Sequence, residues 1–177
     1  MGHLITMAIG VVVSRERINH AWQDVRWQPV SVFMDPPPQT GPWQELLRSD
    51  GYIHFHAATL LLELRHTEIM SYQVNLANGE PSVYVVMRDS EERDYPPVEP
   101  YLVTASPFEA QAHGESGFEV VERVAMPDQL IEVVEAFIKE HHRELSFDRG
   151  RRQPPPDDEP VFVLSNKLDK NTPKKTN

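Results

Sequence analysis

Runs of alternating or β-branched residues recur along the chain and predict β-strands. These runs are Ile9–Arg17, Val25–Met34, Tyr52–His66, Glu68–Leu76, Ser82–Arg88, Tyr101–Ala105 and Glu119–Val124. Proline cannot donate to a ladder, so Pro29 predicts an edge position or a bulge in the second run. Asn78-Gly79 is a strong hairpin signal, which predicts that the fourth and fifth runs pair with each other.

Helical signals occur at three places in the chain. Pro42–Arg48 has apolar residues at helical spacing, which predicts one or two helical turns. Ser106, with Pro107 after it and Glu109 three residues on, is typical of a capped helix start. Asp128–Leu145 places its apolar residues on one face, which predicts one long amphipathic helix.

The short links between these elements favour antiparallel pairing. Parallel neighbours need crossovers of about a dozen or more residues, usually helical, and only one short helix is predicted between strands. We therefore expect an α+β fold, built on a mainly antiparallel curved sheet or a half-open β-barrel. The long C-terminal helix is expected to pack on the sheet and bury its apolar face there.

Composition changes near residue 148. Residues 1–147 contain the predicted elements and are expected to form a single domain, whereas 148–177 are rich in proline and charge and predict a disordered tail. The tail has seven Lys and Arg against five Asp and Glu, and residues 1–147 have ten against 22. An acidic body repels phosphate backbones, so we expect no nucleic-acid partner.

The lack of cysteine excludes disulfides, thiolate metal sites and a cysteine nucleophile. The apolar segment Leu4–Val13 has neither the preceding basic residues nor the following small-residue cleavage site of an export signal. No apolar stretch approaches the roughly 18 residues that cross a bilayer. We therefore expect a cytoplasmic protein without membrane insertion.

Familiar catalytic motifs are absent from the sequence. It contains no Gly-x-Ser-x-Gly elbow, no P-loop, no dinucleotide glycine fingerprint and no His-Glu-x-x-His. With eight glycines in the chain, there is no glycine-rich phosphate cradle either. We expect no bound cofactor, and the pattern favours a binding protein over an enzyme.

His54 and His56 form the pair most suggestive of chemistry. Residues two apart on a strand point to the same side, and two imidazoles on one face begin many metal sites in β-barrels. A third ligand could come from His20, Glu63 or His66. The alternative interpretation is a polar, solvent-facing side of the strand.

All three tryptophans fall in the N-terminal quarter, near the proline-rich loop Asp35–Pro42. They are Trp22, Trp27 and Trp43. Aromatic residues near prolines often form a corner of the core, and tryptophan also dominates binding hot spots. These residues are therefore candidates for core packing or, alternatively, for a surface that contacts a protein partner.

Four stretches of the chain resemble a small bacterial family of uncharacterised proteins. They are WQDVRWQPVSV (Trp22–Val32), HAATLLLEL (His56–Leu64), PSVYVVMR (Pro81–Arg88) and VTASPFEAQ (Val103–Gln111). The resemblance extends from about Ile9 to Leu145 and excludes the tail.

Members of that family are often encoded near molybdenum-dependent formate dehydrogenases and their maturation factors, and some are labelled molybdopterin-guanine dinucleotide biosynthesis proteins. The resemblance implies a non-catalytic accessory protein that binds a molybdoenzyme subunit or a maturation factor. It does not imply nucleotidyltransferase activity, because Gly10 stands alone where such an enzyme has a glycine-rich nucleotide loop. The alternative is a metal- or small-molecule-binding protein, or an enzyme, that uses the strand face of His54 and His56.

Overall fold

Seven strands and three α-helices form the part of the chain that the structure, a computed structural model, describes: residues 4–91 and 95–151. The strands are β1 (Leu4–Arg17), β2 (Val25–Met34), β3 (Gln44–Ser49), β4 (Tyr52–Arg65), β5 (Ser82–Asp89), β6 (Val98–Thr104) and β7 (Val120–Ala125). The helices are α1 (Ile69–Ala77), α2 (Pro107–Gly114) and α3 (Asp128–Arg151), with a 3₁₀ turn at His66–Glu68. None of the helices in these ranges is long and apolar enough to cross a membrane.

The strands form two antiparallel sheets. The first has the order β2-β1-β4-β3 and the second has the order β6-β5-β7. β6 lies beside β4, and β7 lies beside β2, but no hydrogen-bonded ladder joins either pair in the described ranges. The mainly antiparallel α+β prediction is confirmed, whereas two facing sheets replace the single curved sheet or half-open barrel.

The core lies between the two sheets, and helices α1 and α3 close it. Leu130, Val134 and Phe137 of α3 are buried and lie on one helical face. Side chains of this kind stabilise the fold by about 1.5–3 kcal/mol each before conformational entropy is counted. Of the predicted disordered tail, 152–177 lie outside the described residues, and 148–151 belong to α3.

Strand β1 is paired along both edges, since it lies inside the first sheet, and from Ile9 to Ser14 it is also buried on both faces. One face packs into the core. On the other face, the ring of Phe33 lies over Gly10, its direct partner on β2. A Cβ atom at position 10 would stand 2.3 Å from Cζ of Phe33, so only glycine leaves room for the ring.

Pro29 lies where the sequence predicts. Strand β2 is at the edge of the first sheet, and its register with β1 shifts between Val12 and Val13, next to Pro29. The missing N–H of proline therefore falls at an irregularity of the ladder. The prediction of an edge position or a bulge is confirmed.

The prediction of a strand over Glu68–Leu76, paired through a hairpin at Asn78-Gly79, is wrong, because the segment forms helix α1. Its residues alternate in polarity. Two of its apolar residues, Ile69 and Tyr72, also lie three apart on one face of a helix, and both are buried. A segment this short fits both periods, so its tertiary contacts decide the conformation.

The side-chain amide of Asn75 supplies such a contact. Its nitrogen donates to the carbonyl oxygens of Ser82 at 2.7 Å and Ala105 at 2.8 Å, and its oxygen accepts from the Ser82 N–H at 3.0 Å. These bonds attach α1 to the start of β5 and to the chain just after β6. Asn75 is 2% exposed, so without the amide these backbone groups would lack partners away from water.

The prediction of helical turns over Pro42–Arg48 is also wrong. Residues Gln44–Ser49 form strand β3, which pairs with β4 around a tight turn at Asp50-Gly51. Gly51 has φ 94°, a left-handed conformation that glycine adopts without strain. The turn preference of Asp-Gly outweighs the brief helical spacing before it.

The predicted helix start at Ser106 is confirmed, with one difference. Its Oγ accepts from the Glu109 N–H at 3.1 Å, and Pro107 holds the first helical position. The carboxylate of Glu109 accepts from the Thr104 hydroxyl at 2.7 Å, and that hydroxyl oxygen accepts from the Ser106 N–H at 3.0 Å. In a capping box the Glu109 carboxylate would accept directly from the Ser106 N–H. Here the Thr104 hydroxyl bridges these two groups.

We expect Asn75→Leu to destabilise the protein by roughly 2–5 kcal/mol, because buried backbone groups lose their hydrogen bonds. Chemical denaturation followed by circular dichroism measures the free energy of unfolding. The control is Gln73→Leu, at an exposed position of the same helix. A loss in Asn75→Leu no larger than that in the control would contradict the role of the amide.

We expect Gly10→Ala to lower the free energy of unfolding by about 1–3 kcal/mol, because the new methyl group displaces the ring of Phe33. Gly79→Ala is the matched control, since a Cβ atom there meets nothing within 4 Å. Denaturation curves of both variants give the comparison. Equal stability of the two variants would show that the Phe33 ring moves away without cost.

Candidate protein-binding surface

Two of the three tryptophans pack together beside the core. The ring centroids of Trp27 on β2 and Trp43, just before β3, are 5.4 Å apart in an edge-to-face arrangement. Phe55 on β4 lies 6.2 Å from Trp27 and 5.8 Å from Trp43. Aromatic rings at these distances attract each other beyond the effect of the area they bury. All three side chains are partly exposed, so the cluster reaches the surface.

Tyr95 and Phe118 extend this cluster to the second sheet. The ring of Tyr95 is 5.4 Å from that of Trp27, and its side chain is 63% exposed. Phe118, shortly before β7, is 90% exposed, and it lines a depression of about 90 Å³ together with Trp27 and Val120. Together these residues form what we call the aromatic surface: Trp27, Trp43, Phe55, Tyr95, Phe118 and Val120.

The backbone of Trp43 has an unusual conformation. Its φ is 60°, in the left-handed region that costs a bulky residue about 1–3 kcal/mol. Its N–H donates to the carbonyl oxygen of Ala57 at 3.4 Å, and its ring contacts Trp27 and Phe55. Strain of this kind persists only where surrounding contacts hold it and is concentrated at functional sites. It therefore supports a function for the aromatic surface.

Trp22 lies apart from the other two tryptophans. It is in the loop between β1 and β2 and is 89% exposed. Its backbone N–H donates to Nδ1 of His20 at 3.3 Å. Among the described residues, the ring contacts of Trp27 and Trp43 do not include it. The structure thus brings together two of the three tryptophans that the sequence suggests for a partner surface.

Charged groups border the aromatic surface. The guanidinium carbon of Arg15 lies 6.0 Å from the centroid of the Trp27 ring, within reach of a cation–π interaction. Arg88, Asp89 and Glu122 line the same depression as the exposed aromatic side chains. An apolar centre with a charged rim is the usual arrangement of a protein interface.

His54 and His56 lie on β4, as predicted, but they differ in exposure. His56 is 1% exposed, so it does not belong to a solvent-facing side of the strand. Its Nε2 lies 3.0 Å from Oγ1 of Thr59, and its ring packs edge-to-face on Phe33 at 5.0 Å. His54 is partly exposed, and its ring lies 4.9 Å from that of Tyr52.

The metal hypothesis requires a third ligand beside these two histidines. The described residues contain no group of three His, Asp or Glu side chains that is placed to hold a metal ion. The contact with Thr59 also occupies Nε2 of His56. The metal site at His54 and His56 therefore stays a prediction, and the geometry adds no support to it.

Tyr101, His113 and Glu119 form a polar cluster that no sequence pattern indicates. The Tyr101 hydroxyl donates to Oε1 of Glu119 at 2.6 Å. Nδ1 of His113 lies 2.7 Å from Oε2 of the same carboxylate. The bond from Tyr101, and then that from His113, lower the pKa of the Glu119 carboxyl, while the bond to Glu119 raises the pKa of the Tyr101 hydroxyl. The cluster fixes the end of α2 on the second sheet.

Two buried serines meet between α1 and α2. Oγ of Ser71 lies 2.8 Å from Oγ of Ser106, which also lies 2.8 Å from Oε2 of Glu68. Both hydroxyl oxygens accept backbone N–H groups at the start of α2, from Phe108 and Glu109. A serine next to a carboxylate resembles part of a hydrolase site, but these hydroxyls are buried and cap a helix. Their geometry supports a structural role.

A family model described as "Protein of unknown function (DUF3305)" matches residues 8–151 of the chain. The match runs from β1 to α3 and includes every residue of the aromatic surface. No curated protein matches the chain. No solved structure matches it either.

Burial lowers the pKa of His56 from its ordinary value of 6.5. The unfolded chain therefore binds a proton at higher pH than the folded protein does, and stability falls as the pH drops from 6.5 towards the lower folded pKa. We expect this loss, at most about 1.4 kcal/mol per pH unit for one proton, to shrink in His56→Gln.

The free energies of unfolding at about pH 7.5 and about pH 5.5, compared between the wild type and His56→Gln, measure this effect. The difference between the two proteins isolates His56 from the other titrating groups. Identical pH dependence in both proteins, or a titration of the His56 ring by NMR that gives a pKa above 6.5, would contradict the assignment.

Proposed function

We propose that this chain, which belongs to the DUF3305 family of proteins of unknown function, is a non-catalytic binding protein that contacts a protein partner through the aromatic surface. The observation that carries the proposal is the exposed apolar area where the two sheets meet. Tyr95, Phe118 and Val120 are exposed beside the partly buried ring of Trp27. Contiguous exposed apolar side chains with a polar rim are typical of interaction sites.

Trp27 occupies the centre of this surface. Its ring contacts those of Trp43, Phe55 and Tyr95. Hot-spot residues of protein interfaces are enriched in tryptophan and tyrosine and cluster near the centre of the contact. We propose Trp27 and Trp43 as the anchor of the surface, and exposed Trp22 as a second, separate contact.

The partner class follows from the resemblance of the four sequence stretches. That resemblance implies a molybdoenzyme of the formate dehydrogenase type, or a factor that matures one, and we propose such a cytoplasmic protein as the partner. The family description itself assigns no activity. The partner class and the aromatic surface are therefore separate parts of the proposal, and each has its own test.

The two buried serines support binding rather than catalysis. The hydroxyls of Ser71 and Ser106 are hydrogen-bonded within the fold, and both residues are buried. Nucleophilic catalysis needs such a group within reach of a substrate, whereas these hydroxyls cap the start of α2.

We expect Phe118→Ser to weaken partner binding by about tenfold or more, as the loss of an interface hot spot does. Its side chain is 90% exposed, so the folded state should keep its stability. The tagged protein is recovered from the organism that encodes it after anaerobic growth with molybdate, and mass spectrometry identifies the bound proteins. Calorimetry with the purified partner then gives the affinity.

Phe108→Ser is the matched control, because Phe108 is 51% exposed on α2 and lies outside the aromatic surface. The expected result is recovery of a molybdoenzyme subunit or maturation factor by the wild type and the control, and not by Phe118→Ser. A variant with alanine at Trp22, Trp27 and Trp43 that binds with unchanged affinity would reject the surface. Recovery of neither class of protein by the wild type would reject the partner class.

A further inference from the structure

Three arginines converge at one end of the first sheet. Arg15 on β1 and Arg48 on β3 each lie directly opposite Ile53 on β4, so their side chains share one face of the sheet. Arg17 lies two residues beyond Arg15 on the same strand and therefore on the same face. Its backbone N–H donates to the carbonyl oxygen of Gly51, in the β3–β4 turn, at 2.9 Å.

The three arginines line a single cavity of about 130 Å³, which we call the arginine pocket. The turn residues Ser49, Asp50 and Gly51 complete much of its wall. Pockets for drug-sized ligands measure about 300–1,000 Å³, and one water molecule takes up about 30 Å³ of liquid. The arginine pocket therefore has room for a small polyatomic ion or one functional group.

Two of these arginines have no ion-pair partner in the described part of the chain. Arg48 donates to both carboxylate oxygens of Glu45, at 2.8 and 2.9 Å. Arg15 and Arg17 form no salt bridge among the described residues, and Nε of Arg15 is buried without a hydrogen-bond partner. The lining also contains the carboxylate of Asp50, so the pocket keeps an excess of positive charge.

This concentration of positive charge stands out in an acidic protein. Residues 1–147 have ten Lys and Arg against 22 Asp and Glu, and three of the ten meet at this pocket. Like charges repel one another. An anion in the pocket would offset that repulsion, because it supplies negative charge and acceptor oxygens for the arginines that line the pocket.

We propose that the arginine pocket binds a phosphate group, either as inorganic phosphate or as the ester of a small molecule. Phosphate carries about −1.5 to −2 charge near pH 7, and its several acceptor oxygens can face guanidinium groups from two strands at once. A carboxylate has two oxygens in one plane and matches a single arginine, as the Glu45–Arg48 pair does. This inference goes beyond the proposed partner binding and does not depend on it.

The test is an NMR titration of the full chain with inorganic phosphate, with chloride used to hold the ionic strength constant. We expect saturable shifts of the Arg15 and Arg17 Nε–H signals and of the Gly51 amide. Arg17→Gln and Arg15→Gln should each weaken phosphate binding by about tenfold or more, because each removes a charge-assisted hydrogen bond. Arg123→Gln, an exposed site on β7 with the same charge change, should leave binding unchanged.

Shifts that do not saturate, or an equal loss of affinity in Arg123→Gln, would overturn the proposal. Arg17 is exposed, so its variant keeps the test valid even if Arg15→Gln fails to fold. Glycerol 3-phosphate, titrated in the same way, distinguishes the two sources of the phosphate group. Tighter binding of the ester than of inorganic phosphate assigns the pocket to a small phosphate ester, and the reverse assigns it to the free ion.

Discussion

The side-chain amide of Asn75 joins helix α1, which takes part in no sheet ladder, to the second sheet. It bonds α1 to the start of β5 and to the chain that leads from β6 into α2. Ser71, one helical turn earlier, adds a connection to Ser106 at the start of α2. Both polar residues lie among the buried positions of α1, next to Ile69 and Tyr72. The placement of the second sheet against this helix therefore depends on buried hydrogen bonds as well as on apolar packing.

Local pattern predicts the fold well where a segment is long or carries a clear cap signal, whereas the turn signal at Asn78-Gly79 predicts a hairpin that does not form. The strand predicted over Tyr52–His66, the cap at Ser106 and the edge position of Pro29 all agree with the structure. The segment around Ile69–Ala77 is short and satisfies both the strand and the helix period, so the pattern alone does not decide it. Its partners, such as Ala105, lie about 30 residues away, beyond any local rule.

The same limit applies to the sites. Trp27 and Trp43 are close in sequence, but the packing of β7 against β2 brings Phe118 to the same surface, and no spacing indicates it. A polar strand position predicts an exposed His56, whereas the ring of Phe33 covers it. Arginine side chains from β1 and β3 meet only because both strands pair with β4. Residues from distant segments become neighbours through topology.

The two sheets meet along two seams, β4 against β6 and β2 against β7, without a shared ladder at either in the described ranges. Pulling the sheets apart would break side-chain packing there but no strand-to-strand hydrogen bonds. The aromatic surface spans the second seam, since Trp27 belongs to one sheet and Phe118 leads into the other. A partner that contacts both Trp27 and Phe118 would bind across the contact between the two sheets. If it binds more tightly when the sheets are packed together, its binding also stabilises that packing. The affinity of the partner and the rigidity of the contact between the sheets would then rise or fall together.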